Sequence, residues 1–447
     1  MDDRPRKHVD MDRRSMLRGL GWSVGSILLC SCGGPSGTPA RVGGSKQPIN
    51  VPAPVRPVPP ASEPVVRVRF SRGTGSSQES VIGMPGQWTW IGPADDEHDR
   101  RLVRGRFTVK AGPRGWRITQ LHGGVLEVPG ARPLSITPMQ EQPLHWNGST
   151  WPGSIILHRM SSEGDGTIDY VSHVPMETYL PGVLSRELYD DWHRSTHESL
   201  AVAARSFALF ESWFWSDRRH FDLVAGEASQ AWVGTTGHRP SLEAVQATRG
   251  QLLMYAGRVI PAYYSSCCGD QPSSAIDAIG DNPANDIPPL GSARSGSCPC
   301  QWSPTWSWQR TRTHAEVSRD LAEQARRAGL PGRFDLDNLH AISISERNAN
   351  GRSLSVQVTD RSGRTFTMDA SRLRSAFNTS RKRSDQLPSG NCSYRMLDRT
   401  VLIQGRGHGH GAGLCQYGAE AQARSGMSMQ RILAFYYPQS SIEQAWT

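Results

Sequence analysis

Two neighbouring stretches of this chain carry apolar residues at helical spacing, and they sit inside a long succession of short alternating runs broken by Gly and Pro. Met176, Tyr179, Leu180, Val183, Leu184 and Leu188 recur every three or four residues behind Pro175, a residue suited to opening a helix. A second helix is predicted from about Glu198 to Trp215, with Leu200, Ala203, Ala204, Phe207, Ala208 and Phe210 as a small-residue packing surface. Before them, residues 65–170 read as strands and tight turns: Val65-Val66-Arg67-Val68-Arg69-Phe70, Arg106-Phe107-Thr108-Val109, Trp116-Arg117-Ile118 and Ser154-Ile155-Ile156-Leu157. After about 220 the strand pattern returns, with further helices predicted at 314–329 and from about Tyr417 to Arg424, and a strand pair around Asn350-Gly351. The expected fold is α+β: a β-rich N-terminal part over 65–170, then a unit over 171–440 with a central helical segment and a β-rich remainder.

Composition removes several classes. Gly and Pro number 45 and 31 among 447 residues, below the roughly 25–30% of a low-complexity chain. No apolar run reaches the ~18 residues of a membrane span. The net charge of +9 suits an anionic polymer or surface. No helix-turn-helix, zinc-finger or aromatic RNA-binding signature accompanies it, so nucleic acid is not expected as a partner. Fourteen Trp offer sugar platforms as readily as core filling.

The N-terminus reads as an export signal over 1–32. Arg13-Arg14 precedes a short apolar stretch from Gly19 to Leu29, of the twin-arginine type. Leu29-Cys30-Ser31-Cys32 then resembles a bacterial lipobox, with Cys32 as the lipidated residue and the membrane reached only through that anchor. Residues 33–64 hold nine Pro and are expected to act as an extended tether. Six cysteines remain in the body. In an exported chain they suggest disulfides, with Cys268 pairing to Cys298 or Cys300; a structural zinc at such a cluster is the alternative, and no other cofactor is expected.

Four blocks, in order, resemble one family. They are Val174-Pro175-Met176-Glu177-Thr178-Tyr179-Leu180-Pro181-Gly182-Val183 with Arg186-Glu187-Leu188; Ala201-Val202-Ala203-Ala204-Arg205-Ser206-Phe207-Ala208; Tyr264-Ser265-Ser266-Cys267-Cys268-Gly269-Asp270; and His410-Gly411-Ala412-Gly413-Leu414-Cys415-Gln416-Tyr417-Gly418-Ala419. Together they resemble the stage II sporulation protein D family, also called the amidase enhancer LytB family, over roughly 65–440. The resemblance implies lytic transglycosylase action on peptidoglycan glycan strands, preferentially strands stripped of stem peptides, with Glu187 as the catalytic acid. It equally allows a non-catalytic wall-binding lipoprotein that enhances an N-acetylmuramoyl-L-alanine amidase. This sequence departs from the family pattern at Leu188-Tyr189, where Met-Pro is usual, and at Asp270, where Gly is usual.

The residues support that chemistry in their own terms. A glycosidic bond needs a proton donor at the leaving oxygen, and Glu187 beside Leu184, Leu188 and Tyr189 is placed for partial burial that would keep it protonated. A surface ion pair with Arg186 or Arg194 is the plain alternative. Asp190 and Asp191 could supply a second carboxylate, or only solvate a helix break. Arg205, on an apolar helix, either binds a substrate carboxylate or pairs with one such as Glu177. Tyr264, Ser265, His410, Gln416 and Tyr417 are expected to line the cleft, while His408 and His410 could otherwise form a metal pair. No metal is expected at the catalytic site.

Overall fold

A computed structural model describes residues 56–73, 80–112, 114–121, 123–160, 167–226, 228–327, 339–379 and 381–447. The export segment, Cys32 and residues 33–55 of the expected tether lie outside the described residues. The fold is mixed α+β, with eight α-helices among the described residues. They are α1 (Met176–Glu187), α2 (Arg194–Trp215), α3 (Arg239–Ala247), α4 (Ala275–Ala278), α5 (His314–Arg327), α6 (Ala370–Asn378), α7 (Gln416–Arg424) and α8 (Met429–Tyr436).

The N-terminal part forms two sheets. In the seven-stranded sheet, Val65–Gly73 is flanked by Ile168–Pro175 and Leu223–Val224, and the ladder continues through Ser154–Arg159, Leu134–Pro138, Trp88–Pro93 and Arg101–Arg104. The register places Val66 opposite Val174 and Val68 opposite Ser172, so the alternation Val66, Val68, Phe70 faces the core. A six-stranded antiparallel sheet, from Ser149–Trp151 to Val125–Pro129, shares that core. Aromatic rings join the two sheets: Phe70 stacks on Trp151 with centroids 4.1 Å apart, and Trp146 meets Tyr170 at 4.9 Å.

The strand Ile168–Pro175 runs straight into α1, because Pro175 can stand at the helix entrance but cannot continue the ladder. The sheet therefore extends five residues past the boundary expected at 170. The end of the Pro-rich stretch also belongs to the body. Arg56 is buried and donates to the Arg258 carbonyl at 3.3 Å, Val259 N–H donates to the Pro57 carbonyl at 2.9 Å, and Glu63 pairs with Arg249 at 2.5 Å.

α2 is the central helix, buried continuously from Leu200 to Phe210. It starts four residues before the expected Glu198, for a reason remote in the chain. Glu420 of α7, fully buried, accepts from the His193 N–H at 2.9 Å and the Thr196 hydroxyl at 2.7 Å. That carboxylate satisfies an N-terminal donor and complements the helix dipole.

Residues 307–406 build a second core of their own. Val317, Leu321, Ile342, Val356, Val358, Leu373, Phe377, Val401 and Ile403 pack together between α5, α6 and two three-stranded sheets. The stretch 171–440 is thus a helical body carrying an inserted unit. Its neck is closed by a two-residue parallel pairing, Tyr264 with Leu414 and Ser265 with Cys415. Arg352 reaches back from the insert, donating to the Gly409 carbonyl at 2.8 Å and the Gln271 carbonyl at 3.2 Å.

Three partly buried histidines should make this fold acid-sensitive. Burial holds His158, His173 and His410 down to about 4, helped at His158 by His220 and at His173 and His410 by nearby arginines. A depressed histidine binds its proton more readily unfolded, so its contribution is complete above about pH 6.5 and is lost as pH falls toward 4. Guanidinium unfolding near pH 5 should show a lower midpoint than near pH 7, reflecting an unfolding free energy smaller by at most about 2 kcal/mol per histidine. An unchanged midpoint would contradict it.

Candidate functional site

Glu187 is the last residue of α1, and its carboxylate is half-buried. Oε2 accepts from the Gln416 amide at 2.9 Å, and Oε1 accepts from the Ala231 N–H at 3.3 Å. Gln416 is placed by the start of α7, directly after the short strand Leu414–Cys415. Ala231 lies in the loop that crosses α1. Gly182 permits that crossing, since a Cβ there would strike the Gly234 carbonyl and the Trp232 ring.

Gln230 knits the floor of the site. Its carbonyl oxygen accepts from the Tyr179 hydroxyl at 3.0 Å, and its amide donates to the Tyr264 hydroxyl at 3.0 Å and the Ala204 carbonyl at 3.2 Å. Burial first, and the Glu187 carboxylate second, raise both phenols far above the ordinary tyrosine range. Tyr179 and Tyr264 are therefore neutral hydroxyls, not proton acceptors.

An aromatic wall rises on one side. The Tyr189 hydroxyl is 3.3 Å from that of Tyr417, Trp192 meets Tyr417 at 5.1 Å, and Trp302 meets Tyr417 at 4.7 Å between centroids. Trp302 is held by its indole N–H on the Tyr417 carbonyl at 3.0 Å, yet 47% of its surface stays exposed. Tyr189 is 40% exposed. Tyr189 follows Glu187 by two residues and Tyr417 follows its partner Gln416 by one, so the chain brings these rings near the carboxylate, and exposed ring faces suit a sugar. Cavities of about 470 and 390 Å³ lie elsewhere, one at the neck of the insert and one around His158 and His173; neither is lined by Glu187.

Of the residues expected at the site, Glu187, Tyr264, Gln416 and Tyr417 come together. Arg205 does not join them. It is fully buried, donating to Glu177 from Nε at 2.9 Å and from Nη2 at 2.7 Å, and to the Gln251 carbonyl at 3.2 Å. The structural pairing is therefore the one formed, and a substrate contact by Arg205 is corrected. His410 is likewise a support. Its Nε2–H donates to the Tyr264 carbonyl at 2.9 Å while Nδ1 accepts from the Ala412 N–H at 3.1 Å. Both ring nitrogens are engaged within the fold, which leaves neither of them free to meet a sugar hydroxyl or a metal ion beside His408. Ser265 is also buried, its hydroxyl beneath Gly409 and without a hydrogen-bond partner among the described residues. Asp190 is exposed and faces His238 at 3.2 Å, and Asp191 is 3.7 Å from Arg424; neither hydrogen-bonds to Glu187.

Gln230, Tyr189 and Trp302 were missed by sequence reasoning. Trp302 had a signal, lying two residues past Cys300; Gln230 had none, since no local pattern marks it. Cys268, Cys298 and Cys300 do converge, as the expected crosslink required, but their thiols are free and Cys415 joins them. Cys392 stands apart in the second core, beside the Tyr394 hydroxyl.

Residues 164–255 match the family described as Stage II sporulation protein, SpoIID. The chain carries a SpoIID domain. It contains Glu187, Gln230 and the Glu177–Arg205 pair; Tyr264, Gln416 and Tyr417 come from beyond it. Residues 297–413 match a domain of unknown function, DUF8618, whose bounds bracket the insert. An uncharacterized protein of Brachyspira hyodysenteriae is 29% identical over 295 residues, 65% of this chain and 72% of that one. The amidase enhancer of Bacillus subtilis is 25% identical over 59% of this chain, which spans 40% of the enhancer's length. Stage II sporulation protein D of Bacillus subtilis is 23% identical over 66% of this chain and 80% of its own. The SpoIID domain therefore sits within a similarity that extends over most of the body.

Proposed function

We propose that this chain acts on the bacterial cell wall as a lytic transglycosylase, cleaving peptidoglycan glycan strands to 1,6-anhydro-N-acetylmuramoyl ends. The observation that carries the reading is the Glu187 carboxylate, half-buried at a helix end and held by Gln416 and the Ala231 N–H beside the Tyr189–Trp302–Tyr417 wall. In the first step, protonated Glu187 gives its proton to the glycosidic oxygen as the bond to C1 breaks. In the second, the resulting carboxylate takes the proton of the same sugar's 6-hydroxyl as that oxygen bonds C1. Glu187 ends as it began, and no water is consumed. One carboxyl suffices because the nucleophile is already attached to the substrate.

Gln416 suits a partner that alternates between acid and carboxylate. Its N–H donates to the carboxylate, and the same amide turned over presents a carbonyl oxygen to the protonated acid. Alanine at this position would remove the side-chain amide that can serve both states, leaving the Ala231 N–H to the carboxylate.

In this reading the chain is exported and anchored through Cys32, with its site on the wall side of the membrane; among the described residues no helix is long and apolar enough to cross a membrane. The relative named an amidase enhancer supports a second reading, in which the exposed aromatic wall binds glycan for a partner amidase. The two separate on purified protein mixed with peptide-stripped glycan strands and read by mass spectrometry. The transglycosylase reading expects anhydro-ended fragments. Fragments with reducing ends would overturn it, and binding without cleavage would favour the enhancer.

A further inference from the structure

Four buried cysteines from three separate segments point their sulfurs at one spot. The Sγ atoms of Cys268, Cys298, Cys300 and Cys415 all lie within 4.8 Å of one another, and Cys268 and Cys300 are 3.8 Å apart. Tetrahedral coordination with zinc–sulfur bonds of about 2.3 Å requires sulfurs about 3.8 Å apart. We propose that these four cysteines hold one zinc ion, and that this ion ties together the chain segments that present Trp302, Gln416 and Tyr417 to the Glu187 cleft.

The surroundings fit a charged thiolate cluster. Binding releases four thiol protons to solvent and leaves two net negative charges on the metal site. The Arg294 guanidinium lies 3.4 Å from the Cys268 sulfur, and the buried Arg352 holds the Cys268 carbonyl at 3.4 Å. The Cys268 N–H donates to the Cys415 sulfur at 3.3 Å, and the Tyr436 hydroxyl stands 3.3 Å from the Cys298 sulfur. Donors aimed at ligand sulfurs are the outer shell that tunes a metal thiolate. Asp270 fixes the turn by accepting from the Cys298 N–H at 2.7 Å. Asp270 thus stands at the position usually taken by Gly and anchors the ligand loop. Gly418 leaves space where a Cβ would overlap the Cys298 sulfur and the Tyr436 oxygen. All-sulfur tetrahedral ligation selects zinc or iron–sulfur chemistry. A multi-iron cluster would need its four sulfurs spread around several metal atoms, whereas these converge as for a single ion.

The site also ties down a region with little regular secondary structure. Residues 269–301 contain only a four-residue helix and two short helical turns. Ala275, Ile287 and Leu290 seat them in the main core, and Cys298 meets Tyr436 of α8 while Arg294 donates to the Gly413 carbonyl at 2.8 Å. Cys415 is adjacent to Gln416, and Cys300 is two residues from Trp302, so the ion would set the spacing between the acid's amide partner and the aromatic wall.

The test is metal content of the full chain, purified without chelators and measured by elemental mass spectrometry. One zinc per chain is expected, with X-ray absorption showing four sulfurs at about 2.3 Å. Cys298→Ser and Cys300→Ser should each retain at least tenfold less zinc, while Cys392→Ser, outside the cluster, should retain it fully. Iron or copper in place of zinc would overturn the proposal. So would a metal-free chain whose mass is short of four hydrogens, the signature of two disulfides. If the serine variants fail to fold, the metal count and absorption spectrum of the unmodified chain still decide. The result does not depend on whether the protein cleaves glycan, so the two readings stand or fall separately.

Discussion

Glu187→Gln should lower the rate of glycan cleavage by ~100-fold or more, the usual cost of losing a positioned acid and base, while the protein folds and binds strands as before. The substitution preserves shape and leaves the Ala231 N–H with an oxygen to meet. It removes the carboxyl proton that the proposed first step delivers. Gln416 can still pair with the new amide, so stability should change by less than about 1 kcal/mol. The check is the initial rate of fragment release from peptide-stripped strands, with strand binding measured in parallel. A variant as fast as the parent would remove Glu187 from the chemistry. Loss of binding along with activity would make it a structural residue instead.

The second large effect is on stability and comes from a residue outside the cleft. Arg205→Met should cost roughly 3–5 kcal/mol, the range for breaking a buried ion pair on one side. Glu177 lies at the centre of a buried network. It accepts from Arg205 at 2.9 and 2.7 Å, from the Gly250 N–H at 3.0 Å and from the Trp446 indole N–H at 3.0 Å. Those contacts join α1, α2, the turn before Gln251–Tyr255 and the C-terminal strand segment. Methionine fills most of the volume but leaves the carboxylate without its cation. Replacing both partners with apolar residues should recover part of the loss, because the unpaired charge is then gone. Guanidinium unfolding of the single and double variants measures this. A single variant within about 1 kcal/mol of the parent would contradict the structural role.

These contrasts show where the sequence was legible. Helical spacing from Met176 to Leu188 and the entrance at Pro175 placed α1 and left Glu187 at its end, because local periodicity and a fixed proline φ decide such features. The β-rich first part followed from alternation, and the residues closest to the Glu187 carboxylate included Gln416 as expected. What could not be read depends on distant pairing. The α2 start rests on Glu420, more than 200 residues away, and the insert is a unit because Val317 and Leu321 share a core with Val401 and Ile403, about 80 residues on. His410 sits in a glycine loop that resembles a ligand-binding turn, yet the Ala412 N–H and the Tyr264 carbonyl consume its ring. Arg205 was ambiguous for the same reason: a cation on an apolar helix demands a partner, and only the fold says that Glu177 supplies it. Gln230 carries no local mark, although it binds two of the tyrosines under the site.

The central claim is that the attacking oxygen comes from the substrate and not from water. Cleavage of peptide-stripped strands in water enriched with the heavy oxygen isotope tests it directly. If Glu187 guides the 6-hydroxyl to C1, every new C1 end is anhydro, the other new end is a free hydroxyl that keeps the glycosidic oxygen, and neither carries the isotope. New ends that are reducing and labelled would mean that water attacks, that a second carboxylate completes the site, and that the one-carboxyl account of Glu187 is wrong.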